Sequence, residues 1–280
     1  MLAVVHGSDL HFGRFHDPGA ARAFLAALEA ARPGLIVLSG DLTQRAKIRE
    51  YRAARAYLER LPRVPVVLTP GNHDVPLYRV LERWLGPYRN YRRHIGPEGD
   101  AVTRIPGATV VALNSTAPWR AIVQGRIHDR QVRFAERAFG AAAGGDLRIL
   151  VAHHPLATAP ERETERPVPG AAGILAALDG MGVDLILGGH LHRAYTACAG
   201  APLPAGGGSP GALVVQCGTT TSARGRGEER RANSFNLIRA GSGMLEVTRF
   251  LRGPGEAAFV PTAPERFPRA APRAAGEASR

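Results

Sequence analysis

Asp9-x-His11, Gly40-Asp41, Gly71-Asn72-His73-Asp74, His153-His154 and Gly189-His190-x-His192 put carboxylates, a carboxamide and imidazoles at short spacings. Hard oxygen ligands mixed with imidazole, and no cysteine among them, suit a catalytic metal better than a structural zinc. Asp9, His11, Asp41, Asn72, His153, His190 and His192 are too many for one ion that must keep an open position. They suit a pair of ions that share a carboxylate. Asp41 is the natural bridge, because a carboxylate has about four lone-pair directions. In extended chain, side chains at i and i+2 point the same way, which would pair Asp9 with His11 and His190 with His192.

These residues need a scaffold that brings them together. Each cluster follows an apolar run: Val4-Val5, Leu35 to Leu38, Val66 to Leu68, Leu147 to Ala152 and Val183 to Leu187. Short branched runs bounded by glycine and polar residues read as buried strands. Polar groups at the C-terminal ends of such strands lie where open α/β sheets bind ligands. Asp17-Pro18 reads as a helix start, and Phe24, Leu25 and Leu28 keep helical spacing up to Arg32-Pro33-Gly34. Arg45 to Leu61 reads as a second helix, so the first three strands should pair in parallel. Tyr78 to His94 reads as an amphipathic helical insert whose aromatics pack down, close enough to Asp74 to wall a cleft. Asp129 to Phe139 and Gly173 to Met181 read as further helices, and Glu161 to Pro169 as a loop over the site.

The last third changes character. Ala212 to Cys217, Ser234 to Ile238 and Met244 to Phe250 read as short antiparallel strands forming a second sheet layer. Residues 1–251 are expected as one domain, and residues 252–280, rich in Pro, Ala and Arg, as a disordered tail. Gly207 to Gly211 has the spelling of a nucleophile elbow but precedes a strand instead of joining strand to helix, so no serine nucleophile is expected there.

Bulk properties bound the rest. At 280 residues and 45% apolar, the chain is long and hydrophobic enough for a substantial core. No apolar run reaches the ~18 residues of a membrane span, and no basic segment leads into a secretory core. With only Cys198 and Cys217, the expected setting is reducing and cytoplasmic. The net charge of +12 favours anionic partners. Lys47 is the only lysine among 36 basic residues, so arginine is this chain's default cation and the charge does not single out nucleic acid. Arg224 to Arg231 reads as a solvated loop, with contact to an anionic substrate as the alternative.

Taken in order over residues 1–195, the clusters resemble the calcineurin-like metallophosphoesterase superfamily. The resemblance implies an α/β fold, a two-sheet β sandwich flanked by helices, and a dinuclear centre of Mn, Fe or Zn. It implies one ion on Asp9, His11, Asp41 and His192, and another on Asp41, Asn72, His153 and His190. The family's His-x-Pro pattern selects His153 over His154, leaving His154 to line the pocket. The implied reaction is hydrolysis of a phosphate ester by a water bridging two cations about 3.5–4 Å apart. His73 would then face the substrate as proton donor or charge stabiliser, with Asp74 orienting it. The start Ser8-Asp9-Leu10-His11 is similar to bacterial cyclic-nucleotide phosphodiesterases. A DNA-repair type of nuclease is the alternative, but residues 252–280 cannot supply the extra capping domain of such enzymes. A non-catalytic scaffold is a third, disfavoured because no ligand position is missing.

Overall fold

The computed structural model describes residues 1–120, 122–158, 166–198 and 211–269. Residues 207–210 of the elbow-like run and 161–165 of the loop expected over the site lie outside the described residues, as do residues 270–280.

Two sheets face each other. The first contains β1 (Leu2–Gly7), β2 (Leu35–Leu38), β3 (Val66–Leu68), β10 (Asn233–Ala240), β11 (Met244–Arg252), β12 (Val260–Pro261) and β13 (Glu265–Pro268). The second contains β4 (Ala101–Ile105), β5 (Ala108–Leu113), β6 (Leu147–Ala152), β7 (Leu185–Gly188), β8 (Tyr195–Cys198) and β9 (Leu213–Gln216). β1, β2 and β3 are parallel, as the helical crossovers require. So are β5, β6, β7 and β9.

The strands are apolar on both faces because each sheet is covered twice. Val4, Leu35, Val37 and Val67 meet Val110, Ile149, Val151, Leu187 and Val215 between the sheets. The alternate residues Val5, Ile36 and Leu38 pack outward under α1 (Pro18–Ala31) and α2 (Ile48–Leu58), which contribute Phe24, Leu28, Tyr51 and Ala54. Val111, Leu113, Leu150 and Ile186 pack in the same way under α5 (Asp129–Gly140) and α6 (Ala171–Gly180), against Ala135, Phe139, Ile174 and Leu178. Burying one such aliphatic or aromatic side chain is worth about 1.5–3 kcal/mol. The result is the two-sheet sandwich flanked by helices. No helix among the described residues is long and apolar enough to cross a membrane.

The C-terminal strands do not build a separate layer as expected. β10 pairs antiparallel with β1 and β11 with β10, extending the first sheet, while β9 joins the second beside β7. Turn signals announce that strands exist but not which sheet edge receives them. Residues 252–269 also depart from the tail expected there, since β12 and β13 both pair with β11. Arg252 Nη1 donates to Asp17 Oδ2 (3.0 Å), and Arg269 pairs with Asp184.

The second helix begins at Ile48 instead of Arg45, because Glu50 Oε2 accepts from Arg45 N (2.7 Å) and Lys47 N (3.3 Å) and caps the helix there. The insert splits into α3 (Val80–Leu85) and α4 (Arg89–His94) around Gly86-Pro87. Tyr88 and Tyr91 pack down, but Tyr78 and Trp84 stay exposed.

His6, on β1, is fully buried with Nε2 2.9 Å from Ser39 Oγ. Burial lowers its pKa from 6.5 to about 3, against the pull of Asp9. The unfolded chain therefore takes a proton on this residue below pH 6.5, and the folded chain only near 3. His6 withdraws stability as pH falls through that window. His6→Gln should remove part of this dependence. In urea unfolding between pH 7 and pH 5, the wild-type midpoint should fall further than the variant's, and equal falls would count against the argument.

Candidate metal centre

The loops after β1 and β2 zip together beyond the strands. Ser39 N donates to Gly7 O (3.0 Å), Asp9 N to Gly40 O (3.1 Å), His11 N to Asp41 O (2.9 Å) and Phe12 N to Leu42 O (2.8 Å). Ser8 N and Thr220 Oγ1 are 2.9 Å apart, and Thr220 N donates to Ser8 O, which ties in the loop after β9. The short 3-10 turn Asn72–Asp74 follows β3, His153 follows β6, and His190 and His192 follow β7. Two glycines let these loops meet. A Cβ on Gly71 would lie 2.1 Å from Asp41 Oδ1, and one on Gly189 would lie 1.9 Å from Ser8 Oγ.

These connections converge on one buried cluster. His11 Nε2 lies 3.3 Å from Asp9 Oδ1 and 3.6 Å from Asp41 Oδ2. His192 Nε2 lies 3.1 Å from Asp9 Oδ1 and 3.1 Å from His11 Nε2. Ligand atoms of Asp9, His11, Asp41 and His192 all fall within 4.8 Å of one another. On the other side of Asp41, His153 Nε2 is 3.4 Å from Oδ1 and 3.2 Å from Asn72 Oδ1. His190 Nδ1 is 2.9 Å from the same Asn72 oxygen. Asp41 thus touches both groups.

The hydrogen bonding leaves a specific gap. Asp9 Oδ2 accepts from Ser8 Oγ (2.7 Å) and His190 N (3.0 Å), and Asp41 Oδ1 accepts from His73 N (2.8 Å). Asp9 Oδ1 and Asp41 Oδ2 are buried without a hydrogen bond. His153 Nδ1 donates to Ser39 O (2.7 Å) and His192 Nδ1 to Arg224 O (3.1 Å), so each turns Nε2 inward, His192 toward Asp9 Oδ1 and His153 toward Asp41 Oδ1. Buried carboxylate oxygens without a donor, ringed by imidazole nitrogens whose outer ring atoms are anchored to carbonyls, make up the donor set of a cation site once those nitrogens lose their protons. The residues therefore fit the metal pair.

The electrostatics follow from the same charges. Burial would raise Asp9 and Asp41, but the surrounding histidines hold both well below the usual carboxylate range. Burial lowers His11 to about 4 and His190 to about 3. Burial also acts against His153, yet Asp41 and Asp9 raise it to about 9.

Three expectations need correction. Asp9, His11, Asp41, His190 and His192 are not extended; all have positive φ, between 46° and 73°. The i, i+2 pairs converge through left-handed kinks instead of strand alternation. Asp74 does not orient the His73 ring. Its carboxylate accepts from Leu42 N, Thr43 N, Thr43 Oγ1 and Gly71 N, fastening the loop after β2 to the 3-10 turn. His73 is oriented by Gln44 O, which accepts from Nδ1 (2.8 Å). His154 is buried against Ser115 Oγ (2.8 Å) and His190 instead of lining the cavity, and its ligand atom clusters with those of His153 and His190.

A cavity of about 530 Å³ opens over the cluster, lined by Asp41, Asn72, His73, His190, His192 and Arg224 among others. The sequence reading missed Gln44 and did not single out Arg224 within the Arg224 to Arg231 segment. Gln44 carries no motif, and Arg224 is one arginine in an arginine-rich chain, although it closely follows the recognisable Gly218-Thr219.

Comparison with known proteins agrees with this geometry. The family model for calcineurin-like phosphoesterase matches residues 2–194. A probable cyclic nucleotide phosphodiesterase of Synechococcus sp. is 28% identical over 69% of this chain and 74% of its own. Another from Rhodococcus erythropolis is 31% identical over 71% of this chain and 68% of its own. A dimetal phosphatase from Danio rerio superposes with a TM-score of 0.63 over 96% of this chain and 98% of its own, at 12% identity, which shows a shared fold.

Gly71→Ala tests the close approach at the cluster. The added methyl should displace Asp41 and cut the bound metal per chain while leaving the circular dichroism spectrum folded. Full metal content in the purified variant would show that Gly71 is not needed there.

Proposed function

Because the chain belongs to the calcineurin-like phosphoesterase family and is a metal-dependent phosphoric ester hydrolase, we propose that it hydrolyses phosphodiesters, cyclic nucleotides among them. The observation that carries the reading is the pair of buried, unpartnered oxygens, Asp9 Oδ1 and Asp41 Oδ2, facing the Nε2 atoms of His192 and His11 under an open cavity. In this reading Asp9, His11, Asp41 and His192 hold one divalent ion and Asp41, Asn72, His153 and His190 the other, with Mn, Fe or Zn as the metal. Bound ions of this kind lower the pKa of a water and offset negative charge on phosphoryl oxygens.

The chain's own groups do the rest. Asn72 and His190 shape the metal side of the cavity, and Asp74 fixes the loop that carries Asn72 and His73. His73 gives Nδ1–H to Gln44 O, so Nε2 is the atom presented to the cavity. To act there Nε2 must first take a proton from solvent; the imidazolium, still anchored through Nδ1, then gives that proton to the leaving oxygen or stabilises its charge. The choice of diester over monoester leans on the names of the two bacterial relatives.

Bis-p-nitrophenyl phosphate should be hydrolysed in the presence of Mn²⁺ and not after chelation. Cyclic AMP should be a better substrate than single-stranded DNA, and the reverse order would favour a nuclease. His73→Ala should keep its metals and lose roughly 10²–10⁴-fold in turnover, the usual scale of acid catalysis. Unchanged turnover at full metal content would remove His73 from the mechanism.

A further inference from the structure

Arg224 reaches the cavity from the segment between β9 and β10, which the sequence suggests is a solvated loop. Its backbone is pinned on both sides. Ala223 N donates to Phe15 O (2.8 Å), Arg226 N donates to His192 O (2.9 Å), and the Arg224 carbonyl accepts from His192 Nδ1. The side chain runs over Phe15, with Cζ 5.9 Å from the ring centroid. It ends with Nη1 3.0 Å from His73 Nε2, 3.4 Å from Gln44 Oε1 and 3.5 Å from His11 Nδ1. The loop is therefore built around this residue, and Glu229 within it is buried as well.

The partners of this guanidinium are the wrong kind for its charge. They are two imidazoles and a carboxamide, and among the described residues no carboxylate pairs with it. A guanidinium offers five N–H donors in a fixed fork that matches phosphate oxygens in pairs. Here one nitrogen is spent on His73 Nε2 and Gln44 Oε1, at the wall of the cavity that holds Asp41, Asn72 and His190. Asp41 and Asp9 attract this cation from across the cavity without touching it, so its fork faces a site for phosphate esters with no carboxylate in contact.

We propose that Arg224 is the phosphate-binding arm of the site, exchanging its contact with His73 for a non-bridging oxygen of the substrate's phosphoryl group. The inference rests on the phosphoesterase reading above. The exchange gives the arm a second effect. In the structure Arg224 Nη1 caps His73 Nε2, so an arriving phosphoryl group draws the guanidinium away and uncovers that nitrogen. Binding of the anion and exposure of His73 are then one event. Truncating the side chain leaves the backbone bond to His192 in place, so the metal cluster should survive it.

Inorganic phosphate, titrated calorimetrically into the Mn²⁺-loaded full chain, tests the arm without relying on turnover. Arg224→Ala should keep wild-type metal content but bind phosphate about tenfold or more weakly, the scale of one charge-assisted hydrogen bond. Arg224→Lys should lie between them, and it carries the comparison if the alanine variant does not fold. On bis-p-nitrophenyl phosphate, Arg224→Ala should lose about 10²-fold in kcat/KM, with part restored by dilute guanidinium chloride. Wild-type phosphate affinity in Arg224→Ala at full metal content would overturn the proposal, as would a metal-loaded wild type that binds no phosphate. A wild type that binds phosphate through Arg224 yet cleaves no ester would uphold the arm and refute the phosphodiesterase reading, so the two failures are separable.

Discussion

The site is organised by two buried anions that the chain itself leaves half satisfied. Taking a carboxylate out of water costs several kcal/mol unless charge or hydrogen bonds replace the lost solvation. Asp9 and Asp41 each have one oxygen held by N–H or O–H donors and one oxygen with none. His192 beside Asp9 and His153 beside Asp41 are fixed from behind by the carbonyls of Arg224 and Ser39. Without cations, the charge is answered by protonation of His153, whose pKa those carboxylates raise to about 9 against its burial. With divalent cations in place, all the imidazoles can be neutral, and metal binding then releases protons.

Holding this arrangement takes backbone strain. Of the eight non-glycine residues with positive φ among the described residues, five are Asp9, His11, Asp41, His190 and His192. Left-handed backbone costs of order 1–3 kcal/mol at such positions, less for Asp, which tolerates it. The cost is offset by what surrounds the kinks. The zipped loops after β1 and β2, the four donors on Asp74 and the close approach of Gly71 and Gly189 leave these loops little other room. The two sheets supply the rigid platform, because β2, β6 and β7 are packed on both faces and the edge strand β3 pairs with β2.

Much of this could be read from residues alone. An apolar run ending in Asp, Asn or His names both a buried strand and a polar group at its end, and Leu35 to Asp41 is the clearest case. The parallel order of β1, β2 and β3 followed from the helices between them. What depended on distant partners could not be read. β10 and β11 have the same alternation whichever sheet they join, and only pairing with β1 decides it. Asp74 neighbours His73 in sequence, but its carboxylate turns to the loop after β2. Arg224 had no distinguishing signal in a chain where arginine is the default cation, and its importance comes from Phe15, His73 and His192 closing around it. The kinked backbone at Asp9 and His190 was hidden because side-chain periodicity assumes the strand continues, and here it has ended.

The central claim is that Asp41 bridges two cations. The direct measurement is anomalous diffraction from crystals of the metal-loaded protein, with data collected on either side of the metal's absorption edge. The account predicts two anomalous peaks about 3.5–4 Å apart, with Asp41 between them, one peak beside Asp9, His11 and His192 and the other beside Asn72, His153 and His190. A single peak, or a second one whose ligands exclude Asp41, would contradict it.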